Sequence, residues 1–394
     1  MTDASKGPLH GVKVLDLSRI LAGPTCTQLL GDLGATVLKI ENPKSGGDDT
    51  RQWGPPFVME GATRTDLSAY FMSANRNKHS VAIDIATSDG QAQIRRLAGL
   101  ADILIENFKP GGLAKYGLDY ETVSKDVPRL VYCSISGYGQ TGPNRMKPGY
   151  DLMAQGFGGI MSITGEPDGA PMKVGVGIAD VMCGMYACVG ILAALRHAEA
   201  TGQGQQVDVA LVDSQIAWTI NEGVATRLTG QAPIRRGNGH PSIVPYSVYA
   251  AADGHVIVAV GNDAQFVRFC EVLGRPDLPG DARFATNPAR LEYRDDLAAQ
   301  LEPLLADVPV ADLIERLEAV GVPVGPVNTL AQALATDQVT ERGLALDMVS
   351  DGQTLPLLGN PLKLSATPVT YRHPPPRFGA GNGRLMKDNP FEDV

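Results

Sequence analysis

The chain is short of several features that would assign it to a class at once. It has only five cysteines, Cys26, Cys133, Cys183, Cys188 and Cys270, an odd number with no Cys-x-x-Cys spacing. They lie in apolar runs and read as reduced core thiols, which excludes a disulfide scaffold and a cysteine zinc site. Positive charge is not in excess: the net charge of -9 at pH 7 argues against a nucleic-acid partner, which calls for a basic face. Local basic spots can still hold a small phosphate. No Gly-x-Gly-x-x-Gly follows the first strand-like run, where the chain reads Leu21-Ala22-Gly23-Pro24, so a nicotinamide or flavin reading loses its main warrant. The N-terminus shows no charged-then-apolar export pattern. The longest unbroken apolar run, Val181 to Leu195, is shorter than the ~20 residues of a membrane span. A cytoplasmic protein that engages no membrane, with a buried apolar helix, is the expectation.

What is present describes an α/β protein. With 394 residues, 43% hydrophobic and 20% charged, the chain exceeds one average core and suggests two domains. Strand-like runs at Val12–Leu17, Ala35–Ile40, Ser80–Ile85, Asp102–Glu106 and Leu130–Ser134 alternate with helical segments, among them Gln91–Ala98. That spacing implies βαβ units and a parallel sheet, and runs such as Ile103-Leu104-Ile105 suit strands covered on both faces. Ala179–Ala200 reads as one long helix stopped by Gly202 and Gly204, followed by a strand at Gln206–Leu211 and a helix at Val212–Leu228. Residues 230–245 are rich in Gly, Pro and Arg and read as linker and loop. A hairpin around Asp253-Gly254 opens a second domain with helices at Ala264–Leu273, Leu291–Ala306 and Val310–Val320. A short helix near Ala331–Ala335, β-like stretches at Leu344–Val349 and Asn360–Leu364, and a Pro/Gly-rich surface tail complete the chain.

Between Gly149 and Leu195 lies the stretch around which the rest is organised. Its centre is the turn Thr164-Gly165-Glu166-Pro167-Asp168-Gly169-Ala170-Pro171, where Pro and Gly fix a tight loop and leave the Asp168 carboxylate open to approach. By itself such a turn is most often a plain connection. The motifs GYD at 149–151, TGEPDGAP at 164–171, GVGIADVMCGMYA at 175–187 and TGQGQQVDVAL at 201–211 resemble the family III CoA-transferases, in this order and over nearly the whole chain. The resemblance implies a Rossmann-like CoA-binding domain over residues 1–225, a smaller α+β domain over 226–328 and a return of 329–394 to the first domain. It also implies an interlocked homodimer. The tail departs from the family's usual Gly-x-His-Thr closing stretch.

By the same resemblance Asp168 is the nucleophile, and its carboxylate suits the task. An aspartyl mixed anhydride is as activated as the thioester it replaces, so acyl transfer splits into easier steps with no metal and no permanently bound cofactor, coenzyme A entering as substrate. Backbone N–H groups of Gly237 and Gly239 are the candidate oxyanion donors. Arg235 and Arg236 just before them can pair the distal carboxylate of a dicarboxylic acid, with Asn238 and His240 beside it. The short Gly237-Asn238-Gly239-His240 loop is closest to the succinate/hydroxymethylglutarate enzymes and favours succinyl-CoA as donor.

For the CoA itself the resemblance points to Leu21, Ala22, Ile83, Asn107, Phe108, Ser136, Gly137 and Tyr138, in loops beyond strand ends, and to Lys115 at a basic position that is usually Arg. Asn42 and Ser136 replace basic residues of formyl-CoA transferases, which leaves Lys44, Arg51, Arg76 or Lys78 for phosphate; the stretch from Asn75 to Lys78 is equally a solvated turn. Two other readings compete. An α-methylacyl-CoA racemase would need a His where Tyr150 stands, and a phenol is a poor base at neutral pH, leaving Asp151 and Asp180 without a partner. A non-catalytic CoA-binding subunit would need no chemistry from Asp168 at all.

Overall fold

The computed structural model describes residues 6–392. In chain order its strands are β1 (Lys13–Asp16), β2 (Thr36–Glu41), β3 (Phe57–Glu60), β4 (Thr63–Ser68), β5 (Lys78–Ala82), β6 (Ile103–Glu106), β7 (Val131–Ser136), β8 (Gln206–Ala210), β9 (Tyr246–Ala251), β10 (Gly254–Ala259), β11 (Val324–Pro326), β12 (Ala345–Ser350) and β13 (Gln353–Leu358). Two compact units divide them. The first takes the chain up to Ile160, Lys173–Gln231 and the chain from Gln338; the second takes Met161–Met172 and Ala232–Asp337.

The first unit is built on a six-stranded sheet of order β5-β2-β1-β6-β7-β8, with every neighbouring pair parallel. The residues of β6 and β7 are all buried, as expected of strands covered on both faces. One face carries the helices Ala22–Asp32 and Ile178–Thr201, whose Cys26, Cys183, Cys188 and Ile191 pack with Val14, Ile103 and Cys133. The other carries Ser88–Leu100 and Tyr120–Asp126 over Leu15, Leu38, Leu104 and Tyr132. All five cysteines are buried and free. The strand order reverses between β1 and β6, which marks the crevice beyond their carboxyl ends as the place for a ligand.

Ile178–Thr201 runs 24 residues and by length and composition alone passes for a membrane span. It exceeds the expected apolar run because the polar residues Arg196, His197 and Glu199 fall in its last turns without breaking it. Its inward residues belong to the sheet's core.

The second unit pairs a three-stranded antiparallel sheet, β11-β10-β9, with the helices Asp263–Val272, Arg294–Ala306 and Val310–Glu318. Val256, Val258, Phe266, Phe269 and Leu301 form its centre.

Several expectations need correction. Residues 161–172, assigned to the large domain, cluster with the second unit, because Gly237 N–H donates to the Gly165 carbonyl at 3.1 Å and Arg235 holds the turn's carbonyls. The last expected strand, Asn360–Leu364, lies instead at β13, after which Pro361 has no N–H to offer a ladder. The expected helices Val212–Leu228 and Leu291–Ala306 are each broken, at Trp218-Thr219 and at Tyr293. The tail lies at the surface, as expected, and is tied down there. Gly381 N–H donates to the Ser80 carbonyl at 2.7 Å and Ala82 N–H to Asn382 at 2.8 Å, so the tail covers the exposed edge of β5, as sheet edges require.

A buried carboxylate explains why the chain returns to the first unit. Asp32, fully buried, accepts from Arg76 Nε at 2.9 Å, Asn77 Nδ2 at 2.8 Å and Asn360 Nδ2 at 2.9 Å. Asn77 in turn donates to the Thr370 carbonyl at 2.7 Å and accepts from Arg372 N–H at 2.7 Å. Asn75 to Lys78 is therefore an interior hub and not a solvated turn. Removing one partner of a buried ion pair leaves an uncompensated charge, so Asp32→Ala is expected to cost about 3–5 kcal/mol in chemical denaturation. A loss below about 1 kcal/mol would show that the hub does not hold the tail.

Candidate functional site

A cavity of about 530 Å³ opens in the first unit, at the carboxyl ends of the sheet strands, on either side of the switch point. The loop after β1 gives it Arg19, Ile20, Leu21 and Ala22; the loop after β6 gives Asn107, Phe108 and Lys109; the end of β7 gives Ser136 and Gly137. Gly137 and Gly149 approach backbone to backbone, so a Cβ on either would collide with the other. Both glycines line the cavity, and their absence of side chains is what lets its two walls meet there.

Of the nine residues expected around CoA, Leu21, Ala22, Asn107, Phe108, Lys115, Ser136 and Gly137 line this cavity. Ile83 lines a neighbouring one of about 260 Å³, with Phe108 common to both. Tyr138 is turned elsewhere, its ring edge-on to Phe157 at 5.2 Å and packed against the core. The Ser136 hydroxyl accepts from Gly139 N–H at 2.9 Å, and the Lys115 ammonium lies over the Tyr116 ring at 4.6 Å.

Three of the four cations considered for phosphate are withdrawn into the interior. Arg51 is fully buried and paired with Glu41 at 2.7 Å and Asp66 at 2.9 Å. Arg76 belongs to the Asp32 hub, and Lys78 is buried against Asn75 and the Pro24 carbonyl, both at 3.0 Å. Burial pulls the Lys78 ammonium down to about 7. Lys44 is exposed and pairs with Asp84 at 2.8 Å. The basic groups that do line the cavity are Arg19, Lys109, Lys115 and Lys147. Arg19, Lys109 and Lys147 were missed, although each lies close to a stretch the motifs mark, Ile20-Leu21-Ala22, Asn107-Phe108 and Gly149-Tyr150-Asp151.

Asp151 proves to be an anchor for the long helix. Its carboxylate accepts from Ala179 N–H at 2.8 Å and from Gln155 Nε2 at 2.7 Å, satisfying a donor that the first helical turn leaves open. Asp180, on the same turn, lines the cavity. Burial, reinforced by the Asp151 charge, pushes its carboxyl up to about 7. Burial and the same two carboxylates also raise the Tyr70 phenol.

The second unit holds the other half of the expected residues. Asp168 is exposed at the tip of its turn, and the turn is closed by Met172 N–H to the Thr164 carbonyl at 3.2 Å. Arg235 clasps the turn from outside, its Nε donating to the Glu166 carbonyl at 3.1 Å and Nη2 to the Gly169 carbonyl at 2.6 Å. This guanidinium is spent on structure, unlike the role in substrate pairing considered for it. Gly237, at a φ of 55°, sits against the Glu166 carboxylate. Gly237 N–H bonds the Gly165 carbonyl and Gly239 N–H the Arg236 carbonyl at 2.9 Å. Either amide can serve an oxyanion only after the loop releases these bonds.

His240 lies beside the Tyr246 ring at 5.0 Å, its Nδ1 accepting from Ser242 N–H at 3.1 Å. Asn238 is exposed between the two glycines. Arg294, which no local pattern announces, donates to the His240 carbonyl at 2.7 Å. Burial and then the Arg236 charge lower its pKa, and its Nη1 lies close to where a Cβ on Gly239 would be.

The family model for CoA-transferase family III matches residues 9–382. A succinate–glutarate CoA-transferase of Agrobacterium fabrum is 46% identical over 392 residues, covering 98% of each chain. A human succinyl-CoA:glutarate CoA-transferase is 39% identical over 383 residues, covering 97% of this chain and 86% of that one. Among solved structures, a CAIB/BAIF family protein from Brucella suis superposes with a TM-score of 0.88 at 44% identity, covering 97% of this chain and 99% of that one.

The Asp180 carboxyl makes a measurable demand on stability. Between pH about 4 and 7 the folded chain keeps a proton that the unfolded chain releases, so this group lowers stability as pH rises through that window. Asp180→Asn is expected to raise the melting temperature clearly at pH 8 and little at pH 4. Equal shifts at both would show that the carboxyl is not held protonated.

Proposed function

The chain belongs to CoA-transferase family III and is a CoA-transferase; from that premise we propose that it moves coenzyme A from succinyl-CoA to a dicarboxylic acid, glutarate first among the acceptors, through covalent intermediates on Asp168. The observation that carries the mechanism is the exposed Asp168 carboxylate on a turn whose carbonyls Arg235 ties down. A nucleophile that must meet two different acyl groups needs access and a fixed backbone at once. The relatives' named substrates support the choice of acids. Arg236 and Arg294, each with one Nη already on a backbone carbonyl, carry the charge next to the loop that a second carboxylate would pair with.

In the proposed cycle the Asp168 carboxylate attacks the thioester carbonyl, the C–S bond breaks, and an acyl-aspartyl anhydride and CoA thiolate form. The thiolate then attacks the aspartyl carbonyl, the C–O bond breaks, and succinate leaves behind an aspartyl-CoA thioester. The acceptor carboxylate repeats these steps in reverse. Each intermediate is about as activated as the one before, so no step requires a large input of energy. The first unit's cavity takes the CoA, with Lys109, Lys115 and Lys147 on its lining for the phosphates and Arg19, paired with Asp49 at 2.8 Å, beside them. In the glycine loop, Gly237 and Gly239 give up their internal bonds to meet the oxyanions, with Asn238 and His240 near the acceptor. A cytoplasmic setting accords with the free, buried cysteines.

The working form is a homodimer. The first unit exposes large apolar side chains, among them Val189, Ile216, Ile220, Val224 and Leu228, of the kind an interface between subunits covers. A second copy covers them, and an interlocked arrangement is the form proposed.

Trapping decides the chemistry. Incubation with succinyl-CoA followed by hydroxylamine or borohydride is expected to modify Asp168, as read by peptide mass spectrometry. Asp168→Ala is expected to abolish transfer to glutarate and leave CoA affinity nearly intact; turnover above about one per cent of wild type would count heavily against the nucleophile. Light scattering is expected to give the mass of two chains, and a monomer would overturn the dimer.

A further inference from the structure

Ile20 has a φ of 72°, a left-handed conformation that β-branched residues rarely take. Its neighbours Arg19 and Leu21 are not turn formers, so the local sequence does not ask for this bend. Remote side chains impose it. Ile20 N–H donates to both oxygens of Asp48, at 3.3 and 3.2 Å. Lys39 Nζ donates to the Ser18 carbonyl at 3.0 Å and to Asp48 at 2.8 Å. On the far side Asn107 accepts from Arg19 N–H at 3.0 Å and donates to the Arg19 carbonyl at 2.7 Å.

The pair at the centre is rigid and charged. Both side chains of Lys39 and Asp48 are completely buried. Burial opposes the charge on each, but Asp48, Asp16 and Glu41 outweigh it at Lys39 and raise its pKa, while Lys39 and hydrogen bonds from Thr50 lower that of Asp48. Asp48 is itself fixed, since Thr50 N–H donates to it at 3.0 Å and its own N–H donates to Glu41 at 2.7 Å. The bend they hold, Arg19 to Ala22, is one wall of the large cavity.

We propose that the Lys39–Asp48 pair is a positioning device for acyl-CoA, acting through the Ile20 peptide to keep the cavity wall in its binding shape. The proposal rests on the reading of that cavity as the CoA site. A buried pair of this kind seldom adds net stability over an apolar replacement. Its use here is to dictate a backbone conformation that isoleucine disfavours.

The test combines calorimetric titration with coenzyme A and succinyl-CoA, and amide hydrogen exchange over residues 19–22 of the ligand-free protein. Asp48→Asn alone leaves Lys39 without its counter-charge, so the variant carrying both Asp48→Asn and Lys39→Met is measured beside it. In both, exchange at 19–22 is expected to rise, the dissociation constant for coenzyme A to increase about tenfold, and KM for succinyl-CoA to increase with kcat held within about twofold. Adding Ile20→Asn, since asparagine accepts positive φ, is expected to recover most of the affinity without restoring the melting temperature. A general loss of packing would show no such recovery. Unchanged affinity in the double variant, or no recovery with Ile20→Asn, overturns the positioning role. A wild-type protein that binds neither thiol nor thioester overturns the cavity reading and the positioning role with it. That failure is distinguishable, because exchange at 19–22 still reports whether the pair holds the bend.

Discussion

A charge carried into a protein interior has to meet its partner there, and in this chain that requirement joins segments far apart in sequence. Asp32 draws in Arg76, Asn77 and Asn360; Glu41 takes both Nε and Nη2 of Arg51; Asp48 takes Lys39 and the Ile20 peptide. Each site is buried, so leaving any member unpaired would cost far more than a surface ion pair gains. The apolar sheet core holds the first unit together. The charged sites decide which loops and which part of the tail are held against it.

The parallel sheet supplies the site by topology. Its order turns outward from β1 and β6, so the loops that follow them part and leave a crevice instead of covering each other. The cavity forms there without a glycine-rich phosphate turn, and the loop after β1 is held by side chains where a dinucleotide-binding chain would rely on glycines. In the second unit the opposite economy holds. Gly165 and Gly237 bring the Asp168 turn and the loop together backbone to backbone, and Arg235 fastens them.

Much of this was legible in the chain. The strands of the parallel sheet fall within a few residues of their expected places because runs such as Ile103-Leu104-Ile105 have a single environment that suits them. The Asp168 turn and the loops at Leu21, Asn107 and Ser136 were legible as motifs. Arg51, Arg76 and Lys78 were not, since a basic residue in a polar stretch looks the same whether it faces phosphate or an interior carboxylate. The docking of the surface tail was hidden for a similar reason: its Pro and Gly suggest solvent, yet it also covers the edge of β5.

The sequence by itself determined the class of fold, the family and the identity of the nucleophile candidate, because hydrophobic periodicity and ordered motifs are local properties that survive without coordinates. Only the tertiary structure decided which cations line the cavity, that Arg235 is a fastener, and that burial beside Asp151 raises the Asp180 carboxyl. Those outcomes depend on burial and on partners tens or hundreds of residues away, and solvation by distant parts of a chain leaves no mark on the residue itself.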